Sequence, residues 1–127
     1  MIIPDSSFLV AFFDETDSQH QKAVEEMKRY DELREEFLIT EHILGETATV
    51  LAYHNGLEAA VKFLSFSREK CTLHNWTEED FNASIEVFSN QTRDLSYIDA
   101  TIIHLARVLH LPVACFDEDL LKEIDKK

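Results

Sequence analysis

The chain has 127 residues, 45% of them hydrophobic, enough to bury one core and too few for two ordinary domains, so one domain over residues 1–127 is expected. Twelve basic residues face 25 acidic ones, and the resulting charge of −13 opposes sequence-independent coating of a phosphate backbone. No apolar run reaches about 18 residues and the N-terminus lacks a secretory pattern, which predicts a soluble cytoplasmic protein with no membrane partner.

In chain order, Met1-Ile2-Ile3-Pro4 reads as a short strand, its proline holding Ile3 extended and unable to continue a central ladder, with Asp5 at its C-terminal end. A helix over 7–13 follows. Residues 17–33 place Ala23, Val24, Met27 and Tyr30 at amphipathic spacing, with Asp17 or Ser18 able to cap the helix. Phe37-Leu38-Ile39 is a second strand. Thr40 caps a helix that runs to Asn55, where Asn55-Gly56 stops it and a helix over 57–66 begins.

Cys71-Thr72-Leu73 reads as a third strand, and Thr77-Glu78-Glu79-Asp80 resembles a capping box opening a helix to about residue 90. A polar connection over 90–95 leads to a helix over 96–109, which Pro112 ends. Val113 to Phe116 forms a fourth strand ending at Asp117, and a short helix and the tail Lys126-Lys127 complete the chain. Strands separated by helices call for a parallel sheet with right-handed crossovers, and such sheets bind ligands at the C-terminal ends of their strands. The fold class is therefore α/β, with a short parallel sheet of about four to five strands flanked by helices.

Most carboxylates fall in polar stretches and belong to a solvated surface, but four do not. Asp5 and Asp117 each follow an apolar strand, and neighbouring strands would bring them to the same sheet edge; each can also simply cap the next helix. Glu46 lies on the flank of the stripe made by Ile43, Val50 and Tyr53, and no Lys or Arg stands between Phe37 and Val61 to pair with it. Burying an unpaired carboxylate costs several kcal/mol, so such a group needs a base, a proton or a metal. Asp99 sits beside Ile102, Ile103 and Ala106 on the inward face, although Ser96-Tyr97-Ile98-Asp99 can form a capping box. Asp94 and Asp119 are weaker candidates nearby.

Four converging acids repel one another and hold their protons unless a cation intervenes. An oxygen-only ligand set favours Mg²⁺ or Mn²⁺ over zinc, and water on such ions is a hydrolytic nucleophile. The six histidines show no HExxH or paired Cys/His spacing, and Cys71 and Cys115 form no CxxC unit, so reduced thiols are expected.

The order of these motifs resembles the PIN-domain family, particularly its VapC-like toxins, over nearly the entire chain. Asp5-Ser6-Ser7-Phe8-Leu9 resembles the family's opening acidic segment, Asp17-Ser18-Gln19-His20 with Ala23 the start of its second helix, and Leu44-Gly45-Glu46-Thr47 the segment holding its helical glutamate. Leu95 to Ala100 and Cys115 to Leu120 are similar to its third and fourth acidic segments. Pro4, Ser7 and Cys115 depart from the pattern, Cys115 replacing a hydroxyl residue near the fourth acid.

The resemblance implies a three-layer α/β/α fold and hydrolysis of single-stranded RNA by one or two Mg²⁺ or Mn²⁺ ions, leaving a 5′-phosphate and a 3′-hydroxyl. Asp5, Glu46, Asp99 and Asp117 would be the catalytic and metal-binding set, supported by Ser6 and Asp119. It also implies an RNA substrate, an antitoxin partner and a homodimer using the apolar helices of residues 17–33 and 40–66, although a monomeric core explains the same apolar stripes. Arg93, Arg107 and Lys122 are the bases nearest the acidic segments in sequence. The rival readings are a PIN fold serving as an interaction module without nuclease activity, and a receiver-type phosphoacceptor domain. The latter expects a lysine after a late strand, where this chain has Phe116-Asp117-Glu118.

Overall fold

A computed structural model describes residues 1–92 and 94–126. Among them run seven helices and four short strands: β1 (Ile3–Pro4), α1 (Ser6–Phe13), α2 (His20–Glu32), β2 (Phe37–Ile39), α3 (Glu41–Asn55), α4 (Leu57–Lys70), β3 (Cys71–Leu73), α5 (Glu78–Ser89), α6 (Tyr97–Leu109), β4 (Val113–Ala114) and α7 (Glu118–Asp125). The expected α/β organisation is present, and every strand pairing is parallel.

β1 pairs with β4, with Ile3 opposite Val113 and Pro4 opposite Ala114, while β2 pairs with β3 from Phe37–Cys71 to Ile39–Leu73. A single bridge, Ile2 to Phe37, joins the two ladders, giving the order β4-β1-β2-β3. Pro4 thus occupies an inner strand, contrary to the expectation that it could not, and the backbone explains how. The amides of Ile3 and Asp5 donate to Pro112 and Ala114 on the β4 side, whereas Ile2 donates to Glu36 on the β2 side. By that alternation the N–H that proline lacks would face β2, so proline leaves the β4 ladder intact and ends pairing with β2 after one bridge.

The helices form two packed groups: α1 against α2 and α3, with α3 against α4, and α5 against α6, with α6 against α7. Ile3, Phe8, Leu9, Ile39, Ile43, Leu51, Phe63, Ile102, Ile103, Leu105 and Leu120 are buried at the centre. Gly56, at φ 96° and ψ 166°, separates α3 from α4 in backbone territory essentially reserved for glycine.

Four local expectations are corrected. The second helix begins at His20, because Asp17 uses its carboxylate on the Gln19 amide and its carbonyl on the His20 amide, making a turn ahead of the helix instead of capping it. The fourth helix continues to Lys70 and β4 stops at Ala114. The buried stripe of α3 is Ile43, Thr47 and Leu51; Val50 is half-buried and Tyr53 is 86% exposed. No helix among the described residues is long and apolar enough to cross a membrane. Arg93 and Lys127 lie outside the described residues.

Candidate active site

In a parallel sheet the residues that follow each strand share one rim. Asp5 follows β1 immediately and caps α1: it accepts the Ser7 amide at 3.4 Å and the Ser7 hydroxyl at 2.7 Å. Its side chain lies in a residue only 5% exposed. Burial raises its pKa, the Ser7 hydroxyl lowers it, and the negative field of Asp99 raises it further, leaving the carboxyl above its ordinary value.

Glu46 is half-buried one turn into α3, beside the buried Ile43 and Thr47. Burial raises its pKa first, then the charge of Asp5; a hydrogen bond from Ser6 lowers it, and Asp99 adds a further upward push. Ser6 and Ser7 therefore divide their work, one hydroxyl on Glu46 and the other on Asp5. Sequence reasoning had singled out Ser6 and not Ser7, whose place as the second residue after an Asp cap was the available signal.

Asp99 stands in the first turn of α6. Its carboxylate accepts the Ser96 amide at 3.1 Å, and the Ser96 hydroxyl accepts the Asp99 amide at 3.1 Å, so the capping box is formed. Asp99 accordingly has a complete local explanation, the capping alternative offered by Ser96-Tyr97-Ile98-Asp99. It still contributes field at both Asp5 and Glu46, and capping engages one carboxylate oxygen, Oδ2.

Asp117 is placed differently from expectation. Because β4 ends at Ala114 and the Asp5 amide donates to the Ala114 carbonyl, the residue that continues the register beside Asp5 is Cys115, just past β4, and Asp117 lies two residues further on. Asp117 caps α7, accepting the amides of Asp119 and Leu120 at 3.0 and 3.3 Å. Burial pushes the Cys115 thiol up to about 11, a hydrogen bond with the Asp117 backbone counters it, and the charges of Asp5, Asp117 and Asp99 add to the rise. Cys115 thus feels the negative charge of Asp5, Asp117 and Asp99 together. Both cysteines are free, with Cys71 likewise held near 11 by burial, so neither is a thiolate at neutral pH. Asp119 is exposed on the first turn of α7, and Asp94 is exposed ahead of α6.

Among the described residues no three His, Cys, Asp or Glu side chains stand close enough to form a ready metal cage. The donor chemistry nevertheless fits a hard divalent ion. Mg²⁺ demands oxygen ligands, keeps several waters and is commonly held by only one or two carboxylates, so an open set of acids, with Asp5 and Glu46 held above their ordinary pKa, suits it better than a closed one.

Of the bases proposed from sequence, Arg107 is committed elsewhere. Its guanidinium donates to the backbone carbonyls of Glu123, Ile124 and Lys126, tying α6 to the end of α7. Lys122 is exposed on α7.

A polar node between α5, α6 and the end of β3 escaped sequence reasoning. Asp80 is buried and accepts Nε2–H of His74 at 2.9 Å, Nε2–H of His104 at 2.7 Å and the Thr77 amide at 3.0 Å. Burial would raise its pKa, but the bonds from His104, Thr77 and His74 outweigh it and hold the carboxyl well below its usual range. Both rings must carry their proton on Nε2 to serve an ionised Asp80. The predicted capping box of Thr77 and Asp80 is present too.

The PIN-domain family model matches residues 2–127. The chain belongs to the PIN-domain family. A search of curated proteins returns no match. Among solved structures the chain is similar to the Mycobacterium tuberculosis toxin VapC20, described as cleaving the sarcin-ricin loop. The similarity has a TM-score of 0.83 at 25% identity and covers 96% of this chain and 94% of that one. This PIN-domain protein is thus VapC-like in fold as well as in motif order.

Proposed function

We propose that this PIN-domain protein is a Mg²⁺- or Mn²⁺-dependent endoribonuclease and the toxin of a type II toxin–antitoxin pair. The observation that carries the reading is the raised pKa of Asp5 and Glu46: two carboxyls desolvated on one rim, in the field of Asp99, with no basic side chain among the causes acting on either. A group so placed gains most from a multivalent cation.

Asp5, Glu46 and Asp99 would hold one or two ions, directly or through water, with Asp117 completing the acidic set across Cys115. When bound, the metal supplies Lewis-acid polarisation of the scissile phosphate and a water of lowered pKa. The Ser7 hydroxyl orients the Asp5 carboxylate, and Ser6 lies close enough to Glu46 to favour its ionised form. The backbone amides spent on Asp5, Asp99 and Asp117 hold those carboxylates in register with their helices. Support for an RNA substrate and an antitoxin comes from the likeness to VapC20. Exposed Tyr53, Leu57 and Val61 on the α3–α4 hairpin support a homodimer.

The test is incubation of the purified chain with varied RNAs and Mn²⁺ or Mg²⁺. Cleavage is expected, abolished by chelation and lowered at least about a hundredfold by Asp5→Asn, Glu46→Gln or Asp99→Asn. Cleavage that survives Asp5→Asn or Asp99→Asn would overturn the assignment in favour of a contaminating nuclease, and its absence throughout would favour a PIN fold used as an interaction module.

A further inference from the structure

The rim that carries the acids also carries a row of aromatic rings. With strands in the order β4-β1-β2-β3, the segments following them bring Asp117, Asp5, the α3 start and the β3–α5 connection along one edge. His42 lies on α3 one turn before Glu46, hence on the same helix face, and Tyr97 opens α6 two residues before Asp99. Trp76 follows β3, one strand spacing beyond, or roughly 5 Å. Ring centroids of Trp76 and His42 are 4.8 Å apart, those of His42 and Tyr97 6.2 Å, and those of Tyr97 and Phe88 6.1 Å.

These rings meet at interplanar angles of 63° to 68°, so none is stacked parallel on another in the row. Phe88 is 40% exposed, and the other three are half-buried. The Nδ1 atom of His42 is shielded from water and has no hydrogen-bond partner among the described residues, so packing alone sets that ring's orientation. Trp76 is better anchored, lying against both histidines that grip Asp80.

Charge decides what such a row can serve. A chain of −13 gets little long-range attraction to a polyanion, which adds weight to contacts with RNA that ignore phosphate charge. Stacking of unpaired bases on aromatic side chains is such a contact, tolerant of sequence and absent for bases locked in a duplex.

We propose that Trp76, His42, Tyr97 and Phe88 form a stacking platform that receives unpaired bases of a single-stranded RNA flanking the phosphate held at the acids. The proposal rests on the nuclease reading and names how that site selects its substrate. It makes the protein a reader of exposed bases, with the backbone contributing little.

Trp76 is the sole tryptophan, so its emission reports directly on the platform. The full chain carrying Asp5→Asn, to block hydrolysis, is titrated with an end-labelled single-stranded RNA and with an abasic RNA of equal length, following label anisotropy and tryptophan emission together. Base-bearing RNA should quench Trp76 in step with anisotropy, the abasic strand should bind at least tenfold more weakly, and Phe88→Ala should weaken the base-bearing strand by roughly tenfold. Binding with unchanged emission, equal binding of the abasic strand, or no binding overturns the platform. Cleavage by the unmodified chain is read separately. Hydrolysis indifferent to the abasic substitution removes the platform and leaves the nuclease; base-dependent binding without hydrolysis does the reverse.

Discussion

At the residue scale, Asp5 and Asp80 are both buried carboxylates with opposite electrostatics, and the difference lies in their partners. Asp5 has hydroxyl and amide donors but an acidic neighbour, and its pKa rises; Asp80 has two imidazoles and an amide, and its pKa falls. A carboxyl that binds protons more tightly folded than unfolded makes stability decline as pH rises through the interval between the two values. Asp5→Asn, which keeps an oxygen for the Ser7 amide, should therefore raise the melting temperature of the metal-free protein at pH 7 while abolishing hydrolysis; thermal denaturation monitored by circular dichroism measures it. For Asp80 the sign reverses. Its contribution is complete above the ordinary carboxylate pKa of about 4 and is lost as pH falls through its lowered folded value. Asp80→Asn should cost about 1–3 kcal/mol at pH 7 in urea unfolding and flatten the stability profile below about pH 4.

At the scale of elements, two connections are held by single residues. Gly56 joins α3 to α4 at a φ of 96° with ψ 166°, where a Cβ is strained although open space surrounds it. Gly56→Ala should cost about 1–3 kcal/mol from backbone strain alone, visible as a lower denaturant midpoint at unchanged slope. Arg107 closes the carbonyl end of α7, and Arg107→Ala should speed amide exchange across α7 while leaving α3 and α4 as they were, a cost of roughly 1 kcal/mol given the exposure of the side chain.

The elements themselves were legible because apolar periodicity, Thr40, Thr77 and Gly56 are local signals that the structure uses as they read. The acids at Asp5 and Glu46 were legible for the same reason, as charges out of place in an apolar pattern. What stayed hidden was non-local. Residues 74, 80 and 104 obey no spacing rule, and Asp80 was masked by its genuine role in a capping box. Asp117 was misplaced because an apolar run continued two residues past the last paired one, and sequence does not reveal where a partner strand runs out.

For the whole molecule, the open set of acids makes ion binding and stability one measurement. An ion binding only the folded state should raise stability by about 2.7 kcal/mol at a hundred times its Kd, so Mg²⁺ or Mn²⁺ titration should raise Tm in the unmodified chain and much less in Glu46→Gln. Leu57→Glu, on the exposed hairpin, should convert a homodimer to monomers by light scattering without lowering Tm of the monomer.

Pro4 has a last consequence. By ending the pairing of β1 with β2, it leaves two ladders joined through the amides of Ile2 and Leu38, with Asp5 following the strand on one side of the seam and His42 and Glu46 in the helix that follows the strand on the other. The site therefore straddles the least stitched line in the sheet. Those two amides report on the seam: their exchange should slow when an ion bridges Asp5 and Glu46 across it.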